Sequence, residues 1–223
     1  AQQLMPRPKH LTWEESACYT LTLATAYRML FGHHPHELKP GQNVLVWGAS
    51  GGLGSYAIQL INTAGANAIA VISDEDKRDF VMALGAKGVI NRKDFNCWGQ
   101  LPTVNTPEYK EWFAEVRKFG KAIWEITGKQ DVDIVFEHPG ESTFPVSVFV
   151  VKRGGMVVIC AGTTGYKLTV DARYMWIRQK RMQGSHFANL KQASAANDLV
   201  INRRIDPGMS EVFPWEDIPA AHE

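Results

Sequence analysis

Residues 46–60, VWGASGGLGSYAIQL, run from an apolar strand through a glycine-rich turn into an apolar segment of helical character. Gly48, Gly51 and Gly54 stand three apart. A phosphate-binding turn asks for this pattern: one glycine for the sharp bend, one where the backbone approaches a pyrophosphate, one where the helix packs on the strand. Ser50, Gly52 and Leu53 complete the turn, and the helix that follows aims its free N–H groups at an anion. The alternative is a glycine turn that holds no ligand. A nucleoside triphosphatase is disfavoured, because Ser55 follows Gly54 where a P-loop carries lysine.

Working outward, the segments alternate. NVLVWG reads as a buried strand, with a helix after Gly54 to about Ala64. NAIAVIS is the next strand, Lys77–Leu84 the next helix and GVIN a third strand. VDIVFEHPG is a fourth strand, residues 144–152 look helical, GGMVVIC is a fifth strand, RMQG opens a short sixth, and the last helix starts near Asn189. This alternation predicts an α/β fold, a Rossmann-type doubly wound parallel sheet with helices on both faces. Residues 93–127 exceed an ordinary connection: an aromatic-rich loop leads to a charged helix with Thr106 as cap and Pro107 in its first turn. Residues 11–31 read as one helix, with Thr12 and Glu15 at capping-box spacing. Residues 1–40 lie outside the alternation and read as the tail of another module, leaving 41–223 as the nucleotide domain.

The end of the second strand discriminates between dinucleotides. An acidic side chain there holds the ribose 2′-hydroxyl of NAD, whereas a basic setting accommodates the 2′-phosphate of NADP. The strand ends VISDEDKR. Ser73 at the ribose position, with Lys77 and Arg78 behind it, favours NADP; Asp74 there would favour NAD. His138 closes the fourth strand, on the sheet edge that lines the ligand crevice. It reads either as a proton-handling group or as a histidine that satisfies a loop carbonyl. Cys160, Ala161 and Thr163 leave the fifth strand toward the nicotinamide position, with Cys160 read as a small buried hydrophobe rather than a nucleophile. His33, His34 and His36 read as a solvated loop, and no metal site is expected. Tyr109, Lys110, Arg117, Lys118 and Lys121 are either a solvated helix face or a ledge for a phosphorylated ligand.

The 223 residues, 45% hydrophobic, suffice for a full core, and a net charge of +1 recruits neither nucleic acid nor an anionic membrane. No apolar run approaches a bilayer span. Three scattered cysteines form no CxxC pair and suggest a reducing, cytoplasmic setting.

GAKGVINRKDF, DIVFEHPG, GGMVVICAGTTG and GSHFANL, in this order after the glycine turn, resemble the medium-chain dehydrogenase/reductase superfamily. CWGQLP, FGKAIWEITG, DVDIVFEHPGESTFPVS and QGSHFANLKQA together resemble, more narrowly, the crotonyl-CoA carboxylase/reductases. The resemblance implies NADPH as hydride source, crotonyl-CoA and CO2 as substrates, and ethylmalonyl-CoA as product. It further implies a CO2-holding role for His138, and an insertion that contributes to CoA binding and subunit contacts in a dimer or tetramer. Members of that family are about twice as long and carry a GroES-like substrate domain, mostly ahead of the residue that is Ala1 here. Residues 1–40 are then expected to be a helical remnant of that domain, and the chain to bind NADPH and self-associate without turning over alone. A plain enoyl or quinone reductase, or a non-catalytic nucleotide-binding and oligomerisation module, are the competing readings.

Overall fold

The structure is a computed structural model and describes residues 4–221; the outermost residues of the two expected domains lie outside that range. Helices α1 (Trp13–Cys18) and α2 (Thr20–Phe31) lead into β1 (Asn43–Val46), α3 (Gly52–Thr63), β2 (Asn67–Ile72), α4 (Arg78–Ala83) and β3 (Gly88–Asn91). Then come α5 (Pro107–Thr127), β4 (Val132–Glu137), α6 (Phe144–Val150), β5 (Val151–Ile159), α7 (Ala172–Ile177), β6 (Arg181–Gly184), α8 (Leu190–Ile201) and α9 (Ile218–Ala221). The strands form one sheet in the order β3-β2-β1-β4-β5-β6, every pair parallel. This is the doubly wound order, and its switch point lies between β1 and β4.

Both sheet faces are covered, so the central strands carry unbroken apolar stretches such as Val44–Val46, Ala68–Ile72, Ile134–Phe136 and Met156–Ile159. Val44, Val46, Phe136 and Val158 face one core with Leu23, Met29 and Leu30 of α2, Ile58 and Ile61 of α3 and Val200 of α8. Leu45, Trp47, Val135 and Val157 face the other, with Val116, Phe119 and Ile123 of α5 and Phe144 and Val148 of α6. Residues 1–40 were set apart in sequence, yet α2 lies within the sheet's own core.

Local chemistry explains the helix ends. Thr12 accepts from the Glu15 N–H while the Glu15 carboxylate accepts from the Thr12 N–H, a complete capping box. The expected single helix is nevertheless two, joined at Tyr19, whose hydroxyl is drawn to the Asn197 side chain of α8. Thr106 caps α5, Pro107 opens it, and Gly128 at φ 73° ends it. Asn189 and Gln192 form a second capping box on α8. Strand β5 starts at Val151, three residues before the Gly154 expected, and α7 is an element the sequence reading did not anticipate.

Candidate functional site

The glycine turn fills the switch point. The Trp47 N–H donates to the Phe136 carbonyl of β4, and the Ala49 N–H to the Val71 carbonyl of β2, so the turn is tied to both neighbouring strands. Gly48 adopts φ +52°, a left-handed conformation that favours glycine. A Cβ on Gly54 would stand 2.3 Å from the Gly48 carbonyl oxygen and 2.6 Å from the Ala49 Cα; here glycine is imposed by helix–strand contact. Gly51 and Gly52 are exposed. No side chain caps α3, so its first N–H groups face outward without a partner in the turn. An exposed backbone cradle over an uncapped helix start fits a dinucleotide pyrophosphate. Ser50 and Leu53 are half-buried beside it.

At the end of β2, Ser73 donates to Asp74 at 3.1 Å and Lys77 Nζ lies 3.4 Å from Ser73 Oγ. Asp74 is claimed by Lys77 at 3.5 Å and by Lys93, whose ammonium holds the carboxyl below its ordinary range. Lys93, the first residue of the 93–127 insertion, is a participant that no motif in the sequence marks. Arg78 is committed to Glu75 and reaches toward the Val89 carbonyl. Beside Ser73, the ammonium groups of Lys77 and Lys93 thus flank the single carboxylate of Asp74.

His138 sits over the turn. A Cβ on Gly48 would come within 2.7 Å of its Cε1 and Nε2. Nε2 lies 3.0 Å from the Trp47 carbonyl oxygen, and a carbonyl only accepts, so Nε2 carries the proton. Burial depresses the imidazole's basicity, which keeps the ring neutral. Nδ1 then holds a lone pair and meets no donor among the described residues. The loop reading thus accounts for one nitrogen of His138, which satisfies a carbonyl, and leaves the other without a hydrogen-bond partner among the described residues.

The loop after β5 packs on the loop after β4. The Thr163 hydroxyl donates to the His138 carbonyl at 3.2 Å, and that of Thr164 to the Pro139 carbonyl at 2.8 Å. Ala161 is exposed beside them. Burial pushes the Cys160 thiol up to about 11, so it stays protonated near neutral pH.

Glu137, one residue before His138, is fully buried. One carboxylate oxygen accepts from the Gly140 N–H at 3.1 Å and the Thr143 hydroxyl at 2.8 Å, and the other accepts from Ser147. Ser147 in turn accepts from the Trp47 indole N–H at 2.8 Å. Burial outweighs these donors and raises the carboxyl to about 7.

The basic residues Arg117, Lys118 and Lys121 do meet a cavity, of about 660 Å³, shared with Arg153, Arg178 and Tyr174. It is not the dinucleotide crevice. Asp131, which precedes β4, and Val151, which opens β5, line it, so it lies at the opposite edge of the sheet. In the histidine cluster the His34 side chain is exposed as expected, whereas His33 and His36 pack toward the ends of β6 and β5. His33 is buried, 3.1 Å from the Ser185 hydroxyl; His36 Nε2 donates to the Gly154 carbonyl at 2.9 Å; and Arg181 donates to the His34 carbonyl.

Fold and site together define a dinucleotide-binding domain of the dehydrogenase type. The sequence profile of the zinc-binding dehydrogenases matches residues 52–202, and the chain belongs to that family. It is 83% identical over all 223 residues to the crotonyl-CoA carboxylase/reductase of Cereibacter sphaeroides, of which it covers 52%. A solved crotonyl-CoA carboxylase/reductase superposes with a TM-score of 0.96 at 77% identity, over 98% of this chain and 51% of that one. The 2-octenoyl-CoA carboxylase reductase CinF, in complex with NADP and 2-octenoyl-CoA, superposes with a TM-score of 0.89 at 43% identity, over 99% and 48%. The chain thus spans about half the length of the relatives it matches. The family's name implies zinc. Among the described residues, no three His, Cys, Asp or Glu side chains are grouped to hold a metal ion, so they do not build a zinc site. No described helix is long and apolar enough to cross a membrane.

Proposed function

We propose that this chain is the NADPH-binding portion of an enzyme that reductively carboxylates crotonyl-CoA to ethylmalonyl-CoA, within the ethylmalonyl-CoA pathway of CO2 fixation. The carrying observation is His138, a neutral imidazole fixed through Nε2 directly over the glycine turn, with Nδ1 left free. Its 83%-identical relative bears the name of that activity, and CinF was solved with NADP and an enoyl-CoA.

The turn at Gly48, Ser50, Gly51, Gly52, Leu53 and Gly54 takes the pyrophosphate on the open N–H groups of α3. Ser73 and Lys77 take the 2′-phosphate, with Arg78 behind them. Asp74 does not repel it, because Lys93 and Lys77 already balance its charge. Cys160, Ala161 and Thr163 border the nicotinamide. When bound, NADPH supplies the hydride to the β carbon of the enoyl thioester. The α carbon of the resulting enolate then takes either CO2 or a proton. A neutral His138 supplies no acidic proton through Nδ1, and Nδ1 can orient a water or polar group that holds CO2 near that carbon. It thereby favours carboxylation over protonation. The cations around the cavity at the opposite edge suit the phosphates of coenzyme A. Strand β6 closes one edge of the sheet, with its outer ladder unpaired among the described residues, and offers it for contact between copies in a dimer or tetramer. The three free cysteines suit a reducing cytoplasm.

Full-length enzyme given crotonyl-CoA, NADPH and bicarbonate should yield ethylmalonyl-CoA, and replacing His138 by Asn should lower the ratio of carboxylated to protonated product. Butyryl-CoA as sole product at saturating CO2 refutes the carboxylase reading and leaves the plain enoyl reductase.

A further inference from the structure

We propose that Trp47, Ser147 and Glu137 form a positioning unit that sets the direction and tautomer of the His138 imidazole. The unit joins three elements that meet only in the folded chain: the end of β1, the first turns of α6 and the end of β4. Its members are not exposed to substrate. Trp47 is 1% exposed, and Ser147 and Glu137 are 0%.

Trp47 acts through both its backbone and its ring. Its carbonyl receives the His138 Nε2–H, and its indole N–H reaches Ser147, which passes a hydrogen bond on to Glu137. Glu137 holds the backbone that carries the same imidazole. Its carboxylate binds the Gly140 N–H and the Thr143 hydroxyl, closing the turn that carries His138. The ring is thus pinned from its acceptor and from its own backbone by one connected chain of hydrogen bonds. A half-satisfied chain of this kind is costly, so its members hold one arrangement.

The same indole reaches the insertion. It stacks on Phe119 of α5, ring centroids 5.6 Å apart and planes 9° apart, and meets Trp98 of the preceding loop edge-on at 5.4 Å. Phe119 and Trp98 also touch each other. The indole that holds Ser147 is therefore also packed against the insertion. Neither Ser147 nor Glu137 is a catalytic residue; both are positioning residues.

The placement of His138 stands on geometry alone, whereas its consequence for product choice rests on the function proposed above. Two readouts keep these apart. In the first, the His138 ring nitrogens are followed by 15N NMR in this chain. Wild type should show one tautomer, protonated at Nε2. Ser147→Ala should give a mixture, and Glu137→Gln, which keeps an oxygen for Gly140 and Thr143, should retain the single tautomer. Val200→Ala, a core truncation in α8, is the control and should leave the ring unchanged. A single Nε2-protonated form in Ser147→Ala, or an equal shift in Val200→Ala, overturns the positioning unit. If Ser147→Ala does not fold, Trp47→Phe, which keeps an aromatic ring against Phe119 and deletes the indole N–H, is read by the same criterion. In the second readout, full-length Ser147→Ala should lower the ratio of carboxylated to protonated product roughly fivefold, the factor one ordinary hydrogen bond is worth, with the Kd for NADPH unchanged. A moved tautomer with an unmoved product ratio retains the unit and overturns the role proposed for His138.

Discussion

Replacing Gly48 by alanine tests the contact on which the site is built. Two costs follow from the structure. The residue holds φ +52°, where a Cβ costs about 1–2 kcal/mol. The Cβ would also lie 2.7 Å from the His138 ring, which must rotate away and give up its 3.0 Å hydrogen bond to the Trp47 carbonyl, at about 1 kcal/mol. Loss of unfolded-chain entropy returns about 0.4–1 kcal/mol. The net expectation is a loss of about 2 kcal/mol, which a domain of ordinary stability survives folded. Gly41 supplies the control. It stands at φ +80° with nothing within 4 Å of a Cβ, so Gly41→Ala carries the backbone strain without the collision. Urea unfolding of the two variants should separate them by about 1 kcal/mol. Adding His138→Ala to Gly48→Ala should remove that difference, giving a coupling energy of similar size between the two sites. Equal stabilities for the Gly41 and Gly48 variants, or strict additivity in the double mutant, would refute a turn pressed against the histidine.

Lys77→Ala should raise the Kd for NADPH roughly tenfold, the worth of one partly exposed charge-assisted contact, and leave that for NADH nearly unchanged; equal losses would make Lys77 a surface charge. Burial lifts Glu137 from 4.5 to about 7, so the folded chain keeps a proton that the unfolded chain releases. The associated stability is fully present below pH 4.5 and is lost as the pH rises through 7, by up to about 3 kcal/mol. Glu137→Gln should flatten that part of a urea-denaturation series against pH, and an unchanged slope would show that another group titrates there.

The fold was legible because its signals are local or periodic. Strands such as Val44–Val46 and Val135–Phe136 are apolar throughout, as strands buried on both faces must be. Thr12 with Glu15, Thr106 with Pro107, and Asn189 each mark a helix start through atoms no more than three residues away. Where the reading departed from the structure, the cause was distant. Tyr19 breaks the first helix beside a partner 178 residues along the chain, with no proline or glycine to announce it. Helix α7 is only six residues long and buries no side chain fully, so too few turns are present for a helical period to show.

The site divides in the same way. Gly48 and Gly54 declare themselves because a left-handed bend and a close helix–strand approach are constraints within the turn. Trp47, beside them, reads as one more apolar strand residue, yet its carbonyl serves a histidine 91 positions away and its indole a serine 100 positions away. Glu137 misleads in the other direction. A carboxylate at a strand end reads as the polar start of a loop, and only the donors of Gly140, Thr143 and Ser147 make its complete burial tolerable. Sequence spacing therefore recovers groups whose partners are near in the chain. The choice between the two roles of His138 is made by groups that meet only after the sheet has closed. The tautomer of the imidazole, which decides what it can donate or accept, therefore shows only in the fold and not in the spacing.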